Sequence, residues 1–122
     1  MSADSFSVQR RFPRHRIRIP LFISLPDVTF RKLIPIHSRD ISAGGIGFET
    51  SRRLPLDSHS SLVFSGLSGL PHAAAIEGVV VYSGRDAVSG RYSVGVEFTE
   101  FIKVTREELT TAIADWESRD SA

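Results

Sequence analysis

Five arginines and a histidine fall between positions 10 and 18, in the run QRRFPRHRIRIP, with no acidic residue among them. A guanidinium is a planar fork of donors. It grips phosphate oxygens in pairs, takes guanine O6 and N7 in the same manner, and stacks on a purine face. Arg10 and Arg14 stand four apart, with Arg11 beside the first and Phe12-Pro13 stiffening the link. Two such forks from one short segment can hold a ligand that carries both phosphate and guanine. A second polar cluster, DISAGG at 40 to 45, offers what the first lacks. Asp40 presents a carboxylate to the N–H donors of a guanine edge, Ser42 a hydroxyl, and Gly44 and Gly45 let backbone amides approach closely.

Other chemistry finds no support. His15, His37, His59 and His72 are scattered, without the i, i+3 or i+4 spacing of a helical metal site, and read as surface or loop residues. No P-loop appears, no GxSxG elbow surrounds a serine, and no acidic pair is placed for general acid and base work. Gly45-Ile46-Gly47 is too short for a dinucleotide fingerprint. The chain has no cysteine, which removes disulfides and thiolate metal sites. The expectation is a binding protein without catalytic residues, metal or cofactor.

The elements that must position these residues are mostly strands. Residues 1 to 9 show no period and read as a flexible lead. From Ile17 the pattern alternates: Ile17, Ile19, Leu21, Ile23 and Leu25 point one way, Arg16, Arg18 and Ser24 the other, until Pro26-Asp27. A second strand is expected from about Val28 into Ile41, with Pro35 forcing an edge position or a bulge. Ser42 to Gly45 is a turn, and Ile46 to Thr50 resumes as a strand. Ser61–Phe64, Ala75–Tyr82 and Arg91–Phe98 read as three more, separated by SGLSGLP and SGRDAVSG. Six short strands with no helix until the end predict a mainly β protein, a small antiparallel barrel or a closely packed sandwich.

The C-terminus changes period. Thr105 and Glu108 form a capping box, and Val104 with Leu109 a hydrophobic staple. Leu109, Ala112, Ile113 and Trp116 then share one face of a helix reaching about Ser118, a face expected to pack on the barrel or to meet a partner.

Composition bounds the reading. At 122 residues the chain is one domain by length, 41% hydrophobic and 24% charged, which is ordinary for a soluble globular protein. The net charge of +1 conceals an asymmetry: with five arginines in the arm, ten basic residues face fourteen acidic ones elsewhere. A local cationic segment on a mildly acidic body suggests one anionic ligand site rather than a broad nucleic-acid surface. No apolar run is long enough to span a bilayer and the N-terminus lacks a signal peptide's hydrophobic stretch, so a cytoplasmic location is expected.

Arg10-xxx-Arg14 followed by Asp40-x-Ser42-x-x-Gly45 resembles the paired RxxxR and [DN]xSxxG signature of PilZ domains, bacterial receptors for cyclic di-GMP, and Gly95-Val96-Glu97-Phe98 is similar to the family's closing strand. The resemblance covers roughly Gln9 to Phe101, with neither motif missing a member. It implies a six-stranded PilZ-type β-barrel with a C-terminal α-helix: the arginine arm at 10–18, the barrel from 17, the PilZ domain over 10–101, and the helix and tail over 102–122. It implies that Arg10 and Arg14 grip guanine and phosphate, Arg11 adds charge, and Asp40, Ser42, Gly44 and Gly45 line the rest of the site. Tyr82 matches a position where some members place an aromatic against the ligand, although a strand-end aromatic covering the core fits the residue as well. Gln9 stands where the number of bound ligands is influenced.

The arm would be flexible until the dinucleotide arrives, then fold across the barrel and present a changed surface to a downstream protein partner. The protein would be a monomer or weak dimer without membrane insertion. A nucleotide-independent adaptor is the alternative, and a small barrel binding single-stranded nucleic acid a weaker one, because its basic residues would be spread over a strand face.

Overall fold

The computed structural model describes residues 12–24, 33–64, 67, 69–71 and 74–120. Six strands form a closed antiparallel barrel: β1 (Pro20–Ser24), β2 (Leu33–Ile41), β3 (Gly45–Thr50), β4 (His59–Val63), β5 (Ala75–Arg85) and β6 (Tyr92–Ile102), followed by helix α1 (Arg106–Asp120). The order around the barrel is β1-β2-β3-β6-β5-β4, and β4 closes it against β1 through Phe22↔Val63, Ile23↔Leu62 and Ser24↔Ser61. Closure selects the barrel over the sandwich and leaves no fully open sheet edge.

Alternation does place Ile17, Ile19, Leu21 and Ile23 inside, but a regular ladder starts only at Pro20. Upstream, His15 pairs with Ile41, a one-residue slip from the register that sets Pro20 opposite His37. The slip is accommodated by a tight turn, with Ile17 N–H donating to His15 O at 3.0 Å. It is matched on β2 by a shift of register between Ser38 and Asp40. Ser38 repairs the ladder at this point: its buried hydroxyl accepts from Ile19 N–H at 2.8 Å and donates to Ile17 O at 2.6 Å. A buried hydroxyl would otherwise be costly to desolvate, so its role is to satisfy backbone groups that the slip leaves over.

Pro35 pairs with Phe22 of β1, while β3 accompanies β2 only from Ser38 onward. Pro35 therefore occupies a stretch of β2 that is locally an edge, where a missing N–H does no harm. The other strands run longer than their hydrophobic patterns suggest, because cross-strand pairing carries β4 back to His59, β5 on to Arg85 and β6 to Ile102.

The barrel interior and the helix share one core. Phe48, Leu62, Ile76, Val80 and Val94 are fully buried, and Leu109, Ala112 and Ile113 join the same cluster with Trp116 partly buried against it. Burying a side chain of this size contributes about 1.5–3 kcal/mol. The capping box forms as its sequence requires: Glu108 N–H donates to Thr105 Oγ1 at 3.0 Å and Thr105 N–H to Glu108 Oε1 at 2.8 Å. The apolar face of α1 is thus covered by the barrel.

Candidate nucleotide-binding site

The DISAGG turn is held by its own serine. Gly44 and Gly45 N–H groups donate to Ser42 Oγ at 3.1 and 3.2 Å, and Ser42 N–H to Gly45 O at 2.9 Å. The Ser42 hydroxyl is buried and both glycine amides are directed into the turn. Each glycine is needed for a close approach: a Cβ at Gly45 would lie 2.6 Å from Val96 O on β6, and one at Gly44 would lie 2.8 Å from the Phe12 ring. The turn thereby packs against β6 on one side and seats the arginine arm on the other.

The arm continues the barrel edge. His15 N–H donates to Ile41 O at 2.8 Å and Ile41 N–H to His15 O at 2.9 Å, which brings the preceding arginine alongside the residue before Ile41. Arg14 Nη1 donates to Asp40 Oδ1 at 2.7 Å. From the other side Arg39 Nε reaches Asp40 Oδ2 at 3.5 Å, while its Nη1 donates to Ser93 Oγ at 2.5 Å. The Asp40 carboxylate, 16% exposed, lies between two guanidiniums.

Asp40 sits at one end of a row of residues that crosses four strands. It pairs with Gly47 on β3, Gly47 with Gly95 on β6, and Gly95 with Tyr82 on β5. Three interstrand steps of about 4.8 Å separate the ends of the row. Both middle positions are glycine, so neither adds a side chain to the outer face between Asp40 and Tyr82. The Asp40 oxygens would lie 3.0 Å from a Cβ at Gly47, so the carboxylate leans over this floor. Tyr82 is 46% exposed, which excludes the reading that it covers the core. A register shift between Val80 and Tyr82 turns both Val81 and Tyr82 outward, and the tyrosine hydroxyl lies over Gly84, where a Cβ would come within 2.7 Å. The arrangement is a strip floored by two glycines, covered at Gly47 by the Asp40 carboxylate and the Arg39 guanidinium, whose Nη2 would lie 3.2 Å from a Cβ there, with an aromatic at the far end beyond Gly95.

Of the residues expected at the site, the structure brings Arg14, Asp40, Ser42, Gly44 and Gly45 together at one end of this strip and places Tyr82 at the other. Gln9, Arg10 and Arg11 lie outside the described residues. Gly47 and Gly95 were legible only as strand residues, because their meeting depends on register. Arg106 was missed altogether. Its guanidinium stands 5.0 Å from the Phe12 ring centroid and 5.1 Å from that of Phe101, and its Nε donates to Ala43 O at 3.3 Å. A signal existed: a cation at the first position of a helix opposes the helix dipole, so something else must hold it there. At the far end of α1, His15 Nδ1 lies 3.0 Å from both carboxylate oxygens of Glu117. The arm is thereby attached to both ends of the helix.

Among the described residues no group of histidines and acids is arranged to hold a metal ion, and no helix is long and apolar enough to cross a membrane.

Comparison with known proteins agrees with this architecture. No curated protein matches the chain. Two solved structures share its fold. The Bacillus subtilis inhibitor of motility MotI/DgrA has a TM-score of 0.67 and 18% identity over 89% of this chain and 52% of its own. MrkH of K. pneumonia, solved as a complex with c-di-GMP, has a TM-score of 0.63 and 18% identity over 93% of this chain and 55% of its own. The chain thus spans about half the length of each. The model of the PilZ domain matches residues 8–115, from the arginine arm into α1, and the chain belongs to the PilZ domain family.

Proposed function

We propose that this PilZ domain is a receptor for cyclic di-GMP that signals to a protein partner and catalyses no reaction. The observation that carries the reading is the meeting of its two motifs: Arg14 of RxxxR is bonded to Asp40 of DxSxxG at the end of the glycine strip. The ligand named for MrkH, c-di-GMP, has the phosphates and guanines that such a set of groups recognises.

In this reading the ligand exchanges partners with the protein. A guanine edge donates to Asp40 in place of Arg14, and the released guanidinium turns to a phosphate or a guanine Hoogsteen edge. The purine lies on the backbone of Gly47 and Gly95, with Tyr82 as its far wall. Ser42, Gly44 and Gly45 contribute by holding the turn, while Gln9, Arg10 and Arg11 close over the ligand from upstream. Ordering these residues lowers affinity somewhat and changes the surface a partner meets. The site requires no metal or cofactor, and the receptor acts in the cytoplasm as a monomer or weak dimer.

Isothermal titration of cyclic di-GMP into the wild type and Arg14→Ala, with GTP and a short single-stranded RNA as controls, tests the reading. Saturable binding of the dinucleotide alone is expected, weakened by more than about tenfold in the variant, since a charge-assisted hydrogen bond contributes about 1.5–3 kcal/mol. No binding to the wild type would overturn it and leave nucleotide-independent partner capture as the function.

A further inference from the structure

Outside this site the barrel carries a second cationic feature. A groove of about 850 Å³ opens where β2 and β3 part beyond the Arg39 bulge, walled by the arm on one side and the end of β3 on the other. Among the described residues, Arg16, Arg18, Arg39 and Arg91 line it against a single carboxylate, Glu49. Arg91 is engaged with Glu49, its Nη2 donating to the backbone oxygen at 3.4 Å, and Arg39 is engaged with Asp40 and Ser93. Arg16 and Arg18 differ: among the described residues neither guanidinium has an ion pair or hydrogen-bond partner. Two residues apart, they line the same groove without a counter-charge among the described residues.

The floor has a different character. Ile34 and Pro35 supply aliphatic surface, and β2 is unpaired here on its β3 side. Ser38 N–H points at β1, where it donates to Ile19 O at 2.9 Å, so by strand alternation the Pro35 carbonyl, three residues earlier, points away from β1 into the groove. Pro20 stands opposite His37, a position where the absent proline N–H breaks no β1–β2 bond. Pro35 thus offers its carbonyl to the groove, on a stretch of β2 that no described residue of β3 accompanies.

We infer that this groove binds an acidic, extended polypeptide segment of a partner protein, with carboxylates on Arg16 and Arg18, apolar side chains on Ile34 and Pro35, and one backbone hydrogen bond to the Pro35 carbonyl. The missing N–H of Pro35 limits this contact to one accepted hydrogen bond, which restrains open-ended strand addition while leaving room for a short segment. Single-stranded nucleic acid would find the charge but no stacking platform, because among the described residues no phenylalanine, tyrosine or tryptophan lines the groove. The inference names the chemistry of the partner and rests on the receptor reading for its signalling role only; the binding itself does not require it.

The probe is a fluorescein-labelled peptide of alternating glutamate and valine, followed by anisotropy, with the lysine–valine counterpart and a labelled dT12 oligonucleotide beside it. The wild type is expected to bind the acidic peptide in a salt-sensitive manner. Arg16→Gln with Arg18→Gln should weaken it by about tenfold or more, and Glu49→Gln should tighten it by removing the only opposing charge. Absence of binding, equal binding by the lysine peptide, tighter binding by dT12, or indifference to both sets of substitutions would each overturn the inference. Titrating cyclic di-GMP into the same wild-type preparation keeps the two readings apart, since either ligand can bind while the other fails.

Discussion

Arg14 and Asp40, 26 positions apart in sequence, are joined by a 2.7 Å ion pair in which the two PilZ motifs bind each other. The pair is partly solvated, with side chains 31% and 16% exposed, so its contribution to folding is small, under about 1 kcal/mol. Arg14→Ala should therefore shift the thermal midpoint little while weakening cyclic di-GMP binding by more than about tenfold. A large loss of stability with unchanged affinity, read by calorimetry on one preparation, would make the pair structural instead.

The glycine strip gives a prediction with the opposite design, adding atoms instead of removing them. A Cβ at Gly95 would meet only Tyr82 Cβ at 3.5 Å and Val81 Cγ2 at 4.0 Å, ordinary contact distances. Gly95→Val is expected to fold and to bind cyclic di-GMP at least about tenfold more weakly, because branched methyls then stand where a purine must lie flat. Wild-type affinity in a folded Gly95→Val protein would remove the strip from the site.

Gly44 and Gly45 are adjacent but differ in what surrounds them. At Gly45 the obstacle is the backbone oxygen of Val96, which cannot move without parting β3 from β6, so Gly45→Ala should cost about 1–3 kcal/mol in chemical denaturation. At Gly44 the obstacle is the Phe12 ring, which can swing aside. Gly44→Ala should leave global stability nearly unchanged while raising protease cleavage near Arg14. Equal destabilisation by both would contradict this division.

How much of this was legible in the sequence follows from the range of each signal. The alternation of Ile17 to Ile23, the glycine turn and the capping box are local, and each forms where expected. The meeting of the motifs was implied by their resemblance to a family and not by spacing, since nothing near Arg14 indicates how far away Asp40 folds. What escaped depends on register. The slip at His15, its counterpart near Arg39 and the shift before Tyr82 leave no mark on hydrophobic periodicity, yet they decide which residues face one another. Gly47 and Gly95 acquire meaning only through the ladder that aligns them, and Arg106 only through two aromatic rings far from it in sequence.

Arg106 supplies a further test. Double-mutant cycles between Arg106→Ala and Phe12→Ala should show a coupling of about 0.5–1 kcal/mol, the scale of a partly exposed cation–π contact. Additive losses would mean that the arm and helix share no energy through this residue.

The loop between β5 and β6 offers a pH dependence. Asp86 Oδ1 accepts from Val88 N–H at 2.7 Å and Ser89 N–H at 3.1 Å, and these bonds, that from Ser89 foremost, hold its carboxyl below the ordinary value of 3.8. A lowered carboxyl pKa means support that is present above the ordinary value and lost as pH falls through the folded one. NMR titration of the Val88 and Ser89 amides should give a midpoint below 3.8, and a midpoint at or above it would show that the carboxylate is not held.

The contact between His15 and Glu117 has an architectural consequence. Polypeptide entering the domain at His15 and leaving at Glu117 does so through points close enough for the two side chains to meet in a hydrogen bond. A unit with adjacent entry and exit can be spliced into a surface loop of another protein without stretching its host.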